Sequence, residues 1–181
     1  MQGLPTELQE KILFSLTKPK DLYQACSSSR QNRAICSASV FWREKFRREN
    51  LPLLEEGNDV ASWLNIYRRS IRAAQIANEQ VSRGKTVEVD LSKVSDINVL
   101  LLPETERAMK YYWAESRGDR ARYFLLLEPV YKTSVYEYWV NRKTDSAWTN
   151  LIMPVSRNKV VLAEKDVWYI IYELAFLGYP F

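Results

Sequence analysis

Residues 4–16 read LPTELQEKILFSL, and this stretch decides the fold at the start of the chain. Its apolar residues recur at steps of three and four, which places Leu8, Ile12 and Leu16 on one helix face. The following Thr-Lys-Pro at 17–19 ends that helix and starts another, because proline disfavours the α conformation in the residue before it but suits a first helical turn. The sequence therefore predicts a helix, a sharp joint and a second helix.

Beyond this stretch, the same kinds of signal, apolar spacing and residues that begin or end helices, predict helices throughout residues 4–83. The predicted segments are 19–26, 30–36, 40–49 with Ser39 as N-cap, and a long helix that begins after Asp59 and ends at Gly84. A polar joint, Ser27-Ser28-Ser29, separates the second helix from the third. We therefore expect an all-α first part.

Beyond Gly84 the helical spacing gives way to alternation that is typical of half-buried strands. Strands are predicted at 87–91, 98–102, 122–128, 134–141, 149–155 and 160–162, with a turn at 156–158. Helices are predicted at 104–115 and 164–177. The predicted fold class is α+β: an all-α helical module followed by a small mixed domain with a mainly antiparallel sheet. The predicted boundaries are 1–50 for the module, 51–84 for a turn and connecting helix, and 85–181 for the second domain.

Charge and aromatic content differ between the two parts. The 181 residues carry a formal net charge of +4, and the whole excess lies in residues 1–84, where 13 Lys and Arg face 9 Asp and Glu. Residues 85–181 hold 13 of each and 16 of the 23 aromatic side chains. Apolar runs fall far short of the ~20 residues of a membrane span, so no membrane association is expected.

The chain contains no histidine, which excludes Ser-His-Asp and Cys-His catalysis and every His-ligated metal site. Only two cysteines are present, Cys26 and Cys36, too few for a four-cysteine zinc site or a disulfide framework. We expect both to be small buried thiols without chemistry, in a reducing intracellular compartment, cytoplasm or nucleus. No cofactor and no metal are predicted.

An ordered set of residues in the first part resembles the F-box family. The set comprises Leu4-Pro5-Thr6-Glu7-Leu8, Ile12-Leu13, Leu16, Asp21-Leu22, Arg30, Ile35 and Phe41-Trp42-Arg43. The resemblance covers about residues 3–50, and the segment between Leu16 and Asp21 is one residue longer than usual. Ser28-Ser29 stand where the family commonly has Val-Cys, and Asn32 stands where Trp is frequent. A further set, including Lys45 and Ser62-Trp63, resembles F-box-like proteins of large nucleocytoplasmic DNA viruses. A viral origin would place the protein in a host cell, but eukaryotes and some intracellular bacteria also use F-boxes, so the origin stays open.

The resemblance implies an adaptor that binds Skp1 and, through it, the cullin of a ubiquitin ligase, while the rest of the chain holds a target protein. The implied Skp1-interface residues are Leu4, Pro5, Glu7, Leu8, Ile12, Leu13, Leu22 and Trp42. Trp42 is expected mainly to pack with Phe41 inside the module and to reach the partner in addition. A small module cannot turn all its apolar side chains inward, so a contiguous remainder is expected to form a docking patch. Ubiquitin chemistry would occur on other subunits, and no enzyme activity is expected.

The aromatic residues of the second part are the candidates for target binding. The segment 135–140 places large residues on both strand faces, which a one-sided core does not require. The candidate target-binding residues are Tyr136, Tyr138, Trp139 and Trp148. A sheet core of the same aromatics is the alternative.

Two other functions fit the sequence less well. Basic residues at 43–48 and 68–72 could contact phosphates, but interspersed glutamates predict a self-paired, solvated surface, so nucleic-acid binding is not expected. A structural protein that self-associates through its first helix is a further alternative. A glycosidase-like carboxylate pair among Asp90, Asp96, Glu128 and Glu137 lacks any accompanying motif.

Overall fold

The computed structural model describes residues 5–100, 106–118, 122–143, 153–154 and 160–181. The chain divides into two compact units, Met1–Ala74 and Gln75–Phe181, which we call the N-terminal and C-terminal units. The predicted α+β class is confirmed, since helices come first and a helix-containing antiparallel sheet follows. The boundaries placed at residues 50 and 84 from sequence stay a prediction.

Five helices, each of them predicted, form the first stretch of the chain. They are α1 (Thr6–Ser15), α2 (Pro19–Ser27), α3 (Arg30–Ser37), α4 (Ser39–Arg48) and α5 (Val60–Ser82). Asp59 caps α5 as expected, because its Oδ1 accepts from the Ser62 amide at 2.7 Å. The predicted cap at Ser39 is wrong: Ala38 is the N-cap of α4 and offers no side-chain acceptor.

Aromatic side chains fill the core of the N-terminal unit. The ring of Trp42 in α4 stacks on Trp63 in α5, with centroids 5.7 Å apart and planes 6° from parallel. Phe46 meets the edge of Tyr67 one turn further along each helix. All four rings are at most 1% exposed. Large rings allow a unit this small to bury enough apolar area to fold.

The two cysteines form a disulfide, which corrects the prediction of two free, inert thiols. Cys26 lies in α2 and Cys36 in α3, and the packing of these two short helices brings their Cα atoms to 5.9 Å. Both side chains are fully buried. Sequence separation alone could not predict this bond, because the distance between two residues ten apart depends on how the chain between them folds. The expectation of a reducing compartment, which rested on free thiols, loses that support.

Refolding the protein in the presence of reductant is expected to lower the free energy of unfolding of the N-terminal unit by about 3 kcal/mol. The reason is that a cross-link between residues ten apart removes loop-closure entropy from the unfolded chain. Urea unfolding of oxidised and reduced samples measures the difference. The Cys26→Ala/Cys36→Ala variant is the control, because reductant should leave its unfolding midpoint unchanged. Two free thiols by mass spectrometry in the oxidised sample would contradict the cross-link.

The C-terminal unit is built on an antiparallel sheet. Its strands are β1 (Val87–Asp90), β2 (Arg122–Pro129), β3 (Val135–Lys143), β4 (Met153–Pro154) and β5 (Val160–Ala163), and its helices are α6 (Glu106–Gly118) and α7 (Glu164–Phe176). The order is β1-β2-β3, and β4 and β5 both pair with the free side of β3. The strand predicted at 98–102 is wrong where described, since Ile97–Leu100 is a 3₁₀ turn. Most of the segment predicted as strand and turn at 149–158 lies outside the described residues.

Register fixes which residues share a face of this sheet. Leu125 lies opposite Val89 and Val140, and all three are at most 3% exposed, so this face carries the core. Leu126 lies opposite Trp139 on the other face. Leu126 is 9% exposed, so both faces carry apolar residues, as the sequence predicts.

Candidate functional site

The first candidate surface is the outer edge of α1, which we define by Pro5, Glu7, Leu8 and Ile12. Leu8 is 44% exposed and Ile12 is 49% exposed, although both are large apolar residues. They stand four residues apart and therefore share a helix face. Pro5 precedes the first turn, and its carbonyl accepts from the Leu8 and Gln9 amides at 3.0 and 3.1 Å. The α1 edge is thus an ordered apolar strip that faces water.

A polar contact on another side of α1 fixes the rotation of this helix about its own axis. The Gln31 side chain in α3 donates to the Thr6 hydroxyl at 2.7 Å and accepts from the side-chain Nε2 of Gln9 at 2.9 Å. These bonds join the first turn of α1 to the start of α3. Sequence reasoning missed this contact because glutamine carries no periodic signal. The contact keeps Leu8 and Ile12 pointing outward.

Three residues predicted for the interface lie inside the N-terminal unit. Leu13 is 1% exposed, and Leu22 and Trp42 are fully buried. The Trp42 indole N–H donates to the Cys36 carbonyl at 2.7 Å, which ties α4 to the end of α3. Leu4, the remaining predicted contact, lies outside the described residues. The structure thus separates the predicted set into an exposed strip and its buried support.

The polar residues at the joint of α2 and α3 form a local network. The Ser29 hydroxyl caps α3 by accepting from the Asn32 amide N–H at 3.0 Å. The Asn32 side chain donates to the Ala25 carbonyl at 2.9 Å and to the Ser28 hydroxyl at 3.1 Å. The residues that depart from the usual pattern therefore satisfy the end of α2 and the start of α3. In the sequence, the signal for this cap is a serine, Ser29, that stands three residues before Asn32.

A buried lysine joins three helices of the N-terminal unit. Lys45 Nζ donates to Glu49 Oε1 at 2.7 Å and to the Leu16 carbonyl at 2.8 Å, and it lies 3.4 Å from the Phe14 carbonyl. The Tyr67 hydroxyl donates to Glu49 Oε2 at 2.7 Å. Burial lowers the pKa of Lys45 below its usual 10.5, although Glu49 opposes the shift. The sequence predicts that interspersed glutamates pair the basic residues at 43–48, and this is confirmed for Lys45, but its assignment to a solvated surface is wrong.

Most of the basic residues considered for phosphate binding are paired with glutamates. Glu44 accepts from both Arg47 and Arg48 at 2.7 Å, and these bonds lower its pKa to about 2. Arg43 pairs with Glu56, and Arg69 pairs with Glu55. Exposed pairs of this kind contribute little stability, but they neutralise the helical surface. No dense cationic strip remains on α4.

The structure places the candidate target-binding residues on different faces of the sheet. Tyr136 and Tyr138 are 3% exposed and lie opposite Pro129 and Leu127 on the core face. Trp139 is partly exposed and lies on the other face. Trp148 lies outside the described residues. Trp139 is therefore the described member of this set that a partner could reach.

A cluster of tyrosines around Glu115 was not predicted from sequence. The Tyr123 hydroxyl in β2 donates to Glu115 Oε2 in α6 at 2.5 Å. The ring of Tyr112 stacks on Tyr123 at 5.4 Å, and Tyr111 meets Tyr112 at 5.5 Å. Hydrogen bonds from Tyr111 and Tyr123 lower the pKa of Glu115. Only the i,i+4 spacing of Tyr111 and Glu115 was visible in the sequence.

The pKa of Tyr123 is raised to about 12, first by burial and then by its hydrogen bond to Glu115. Because the folded state favours the neutral phenol, the resulting stabilisation is complete below pH 10 and is lost as the pH rises toward 12. We expect Glu115→Gln to bring the Tyr123 pKa back toward its usual value. An NMR titration of ¹³C-tyrosine measures it, with exposed Tyr131 as the internal control. An unchanged Tyr123 midpoint in the variant would contradict this role.

The structure does not gather the four carboxylates considered for acid–base chemistry. Glu128 and Glu137 lie opposite each other on β2 and β3. Asp90 and Asp96 instead accept hydrogen bonds from the amides of Ser92 and Asn98 in neighbouring turns. Among the described residues, no group of three His, Cys, Asp or Glu is arranged to hold a metal ion. Within the same part of the chain, no helix combines the length and apolar character that crossing a membrane requires.

Comparison with known proteins bears on the first four helices. Residues 1–48 match the family model described as F-box-like. The matched range ends at the last residue of α4, so it contains α1 to α4 in full. Neither the curated proteins nor the solved structures contain a significant match to the chain. An F-box-like domain indicates a protein-interaction adaptor.

Proposed function

Because residues 1–48 form an F-box-like domain, we propose that the protein recruits substrates to an SCF-type (Skp1–cullin–F-box) ubiquitin ligase. In this role the N-terminal unit docks on Skp1, which connects the protein to a cullin. The C-terminal unit holds the target protein. Binding is the whole mechanism on this chain, and the transfer of ubiquitin takes place on other subunits.

The exposed α1 edge is the observation that carries the proposal. Leu8 and Ile12 leave about half of their surface in water, which costs free energy unless a partner covers them. Fully burying an aliphatic side chain of this size is worth roughly 1.5–3 kcal/mol. Within the α1 edge, the exposed Glu7 stands beside Leu8 and supplies a polar group at the border of the apolar surface, as interface rims do.

The buried members of the predicted interface set have a supporting role in this proposal. Leu13 lies next to Ile12 in α1 and packs into the core. Its burial anchors the helix that carries the α1 edge. Leu22 and Trp42 form part of the same core. Their replacement would weaken Skp1 binding through loss of the fold, whereas replacement of Leu8 or Ile12 would weaken binding alone.

In the C-terminal unit, the target would bind the exposed part of the sheet face that carries Trp139. Trp139 lies there with Glu137 two residues before it, and Val161, opposite Glu137 on β5, is 61% exposed. Tryptophan at the centre of such a surface is a common source of binding energy. Tyr136 and Tyr138 then serve to hold β3 flat against the core.

The test is titration of the full chain with purified Skp1 by calorimetry. We expect a complex, and we expect Leu8→Ala/Ile12→Ala to weaken it about a hundredfold, since each truncation removes roughly a tenfold contribution. Val40→Ala is the control, because Val40 is 74% exposed on α4 and stands outside the α1 edge. Cullin should co-elute with the wild-type complex. Failure of the wild type to bind the Skp1 proteins tried, or equal binding by the double variant, would reject the proposal.

A further inference from the structure

A cleft of about 430 Å³ lies in the N-terminal unit between the start of α2 and the first turns of α5. It is lined by Pro19, Lys20, Tyr23, Ala61, Leu64, Asn65 and Arg68. The volume falls in the range of clefts that hold a small ligand or a few side chains of a partner. The cleft contains no residue of the α1 edge, and its α5 wall lies beyond the F-box-like range of residues 1–48.

The walls of this cleft are mainly apolar. Leu64 is 8% exposed and forms the floor, with Pro19 and Ala61 beside it. Tyr23 is 57% exposed, which is high for a residue with a large aromatic ring. A tyrosine held at the mouth of an apolar cleft gives contact area at a low cost in side-chain entropy.

Two cations flank the cleft, and no carboxylate lines it. Arg68 donates to the Asn65 side-chain oxygen at 3.0 Å, which holds the guanidinium, but it has no acidic partner among the described residues. Lys20 makes no side-chain hydrogen bond or ion pair in the described part of the chain. By contrast, the adjacent Arg69 is paired with Glu55. Within the described residues, the positive charge of Lys20 and Arg68 is therefore uncompensated, whereas that of the adjacent Arg69 is neutralised by Glu55.

We propose that this cleft binds an acidic peptide segment of a partner protein. A bulky aliphatic side chain of the segment packs on Leu64 under the ring of Tyr23. Carboxylates on either side of it pair with Lys20 and Arg68, and the guanidinium can bind one of them through two hydrogen bonds. The site is a second docking surface on the N-terminal unit and does not depend on Skp1 binding.

The lining favours a peptide over a nucleic acid. Single-stranded nucleic acids are bound by several aromatic rings along a continuous cationic groove. This cleft has one aromatic ring, two cations and aliphatic walls. An aliphatic floor fits a leucine-like side chain better than the polar edge of a base.

A displayed library of random peptides, selected on the immobilised full chain, tests the proposal. We expect enrichment of Asp or Glu next to Leu, Ile or Met. The most enriched sequence is then made as a fluorescein-labelled peptide and titrated by fluorescence anisotropy. Lys20→Glu/Arg68→Glu should weaken binding about a hundredfold, since two charge-assisted contacts are lost and replaced by repulsion. Tyr23→Ala should weaken it about tenfold without changing its dependence on salt.

The matched control is Lys18→Glu/Arg72→Glu, which makes the same change in net charge at the N-cap of α2 and within α5, at positions that do not line the cleft. It should bind the peptide within about twofold of wild type, as expected for charges screened by solvent. Three outcomes would overturn the proposal: no enrichment of acidic peptides, equal losses in the two charge-reversed variants, or binding of a labelled oligothymidine that the cleft variant abolishes while peptide binding is absent. Circular dichroism of each variant establishes that it is folded.

Discussion

Replacing Trp42 with alanine is expected to lower the free energy of unfolding of the N-terminal unit by about 3–5 kcal/mol. The indole is fully buried, stacks on Trp63 and donates to the Cys36 carbonyl. Its removal leaves a large cavity and an unpaired carbonyl in the core. Urea unfolding followed by circular dichroism of the helices measures the loss.

The matched control for Trp42 is Val40→Ala in the same helix. Val40 is 74% exposed, so its truncation should change the free energy of unfolding by less than about 0.5 kcal/mol. A Trp42→Ala protein that unfolds at the wild-type urea concentration but no longer binds Skp1 would contradict this assignment. That result would make Trp42 a direct contact with Skp1.

Replacing Glu49 with glutamine is expected to destabilise the N-terminal unit by about 3–5 kcal/mol, because it leaves the buried Lys45 ammonium without a counter-charge. Lys45 is fully buried and holds the carbonyl of Leu16 just beyond the last turn of α1. The Tyr67 hydroxyl would also lose its charged acceptor. The same urea experiment measures the effect.

The control for Glu49 is the same substitution in an exposed ion pair, Glu55→Gln. Glu55 is paired with Arg69, and both side chains are about a third or more exposed, so the expected loss is below about 1 kcal/mol. Equal losses in the two variants would contradict a special role for the buried network. A Glu49→Gln protein of wild-type stability would show that Lys45 reaches solvent when its partner is neutral.

These two predictions bear on the proposed function because both residues stabilise the fold that carries the α1 edge. Neither Trp42 nor Lys45 contacts Leu8 or Ile12 in the described hydrogen bonds and ring contacts. Trp42 instead packs in the core, and Lys45 binds the carbonyl of Leu16 at the end of α1, the helix that carries Leu8 and Ile12. Variants at these positions should therefore lose Skp1 binding in proportion to the fraction that is unfolded. Leu8→Ala/Ile12→Ala should lose binding while remaining folded, which distinguishes a contact from its support.

The sequence predicted the N-terminal helices well because their signals are local. Proline at the start of α2, Asp59 before α5 and Gly84 after it each act within one or two turns of the chain. The miss at Ser39 has a local cause as well, since the extended residue before α4 is Ala38 and Ser39 is already the first helical residue. The 3₁₀ turn at Ile97–Leu100 was mistaken for a strand because short apolar runs do not distinguish the two.

The candidate site was predictable only in part. Spacing placed Leu8 and Ile12 on one face, but it could not decide that these residues face water while Leu13 and Leu22 face the core. Likewise, alternation in β3 predicted two populated faces without deciding that Trp139, rather than Tyr138, is accessible. The cleft between α2 and α5 was invisible, since its two walls are about 40 residues apart in the chain.

By itself the sequence determined the helical start, the α+β class and the resemblance to an F-box, because helix periodicity, caps and ordered motifs are properties of neighbouring residues. Tertiary structure alone decided the Cys26–Cys36 disulfide, the burial of Lys45 and the uncompensated charge of Lys20 and Arg68. Each of these depends on distances between helices, and those distances follow from the packing of side chains that are far apart in the chain.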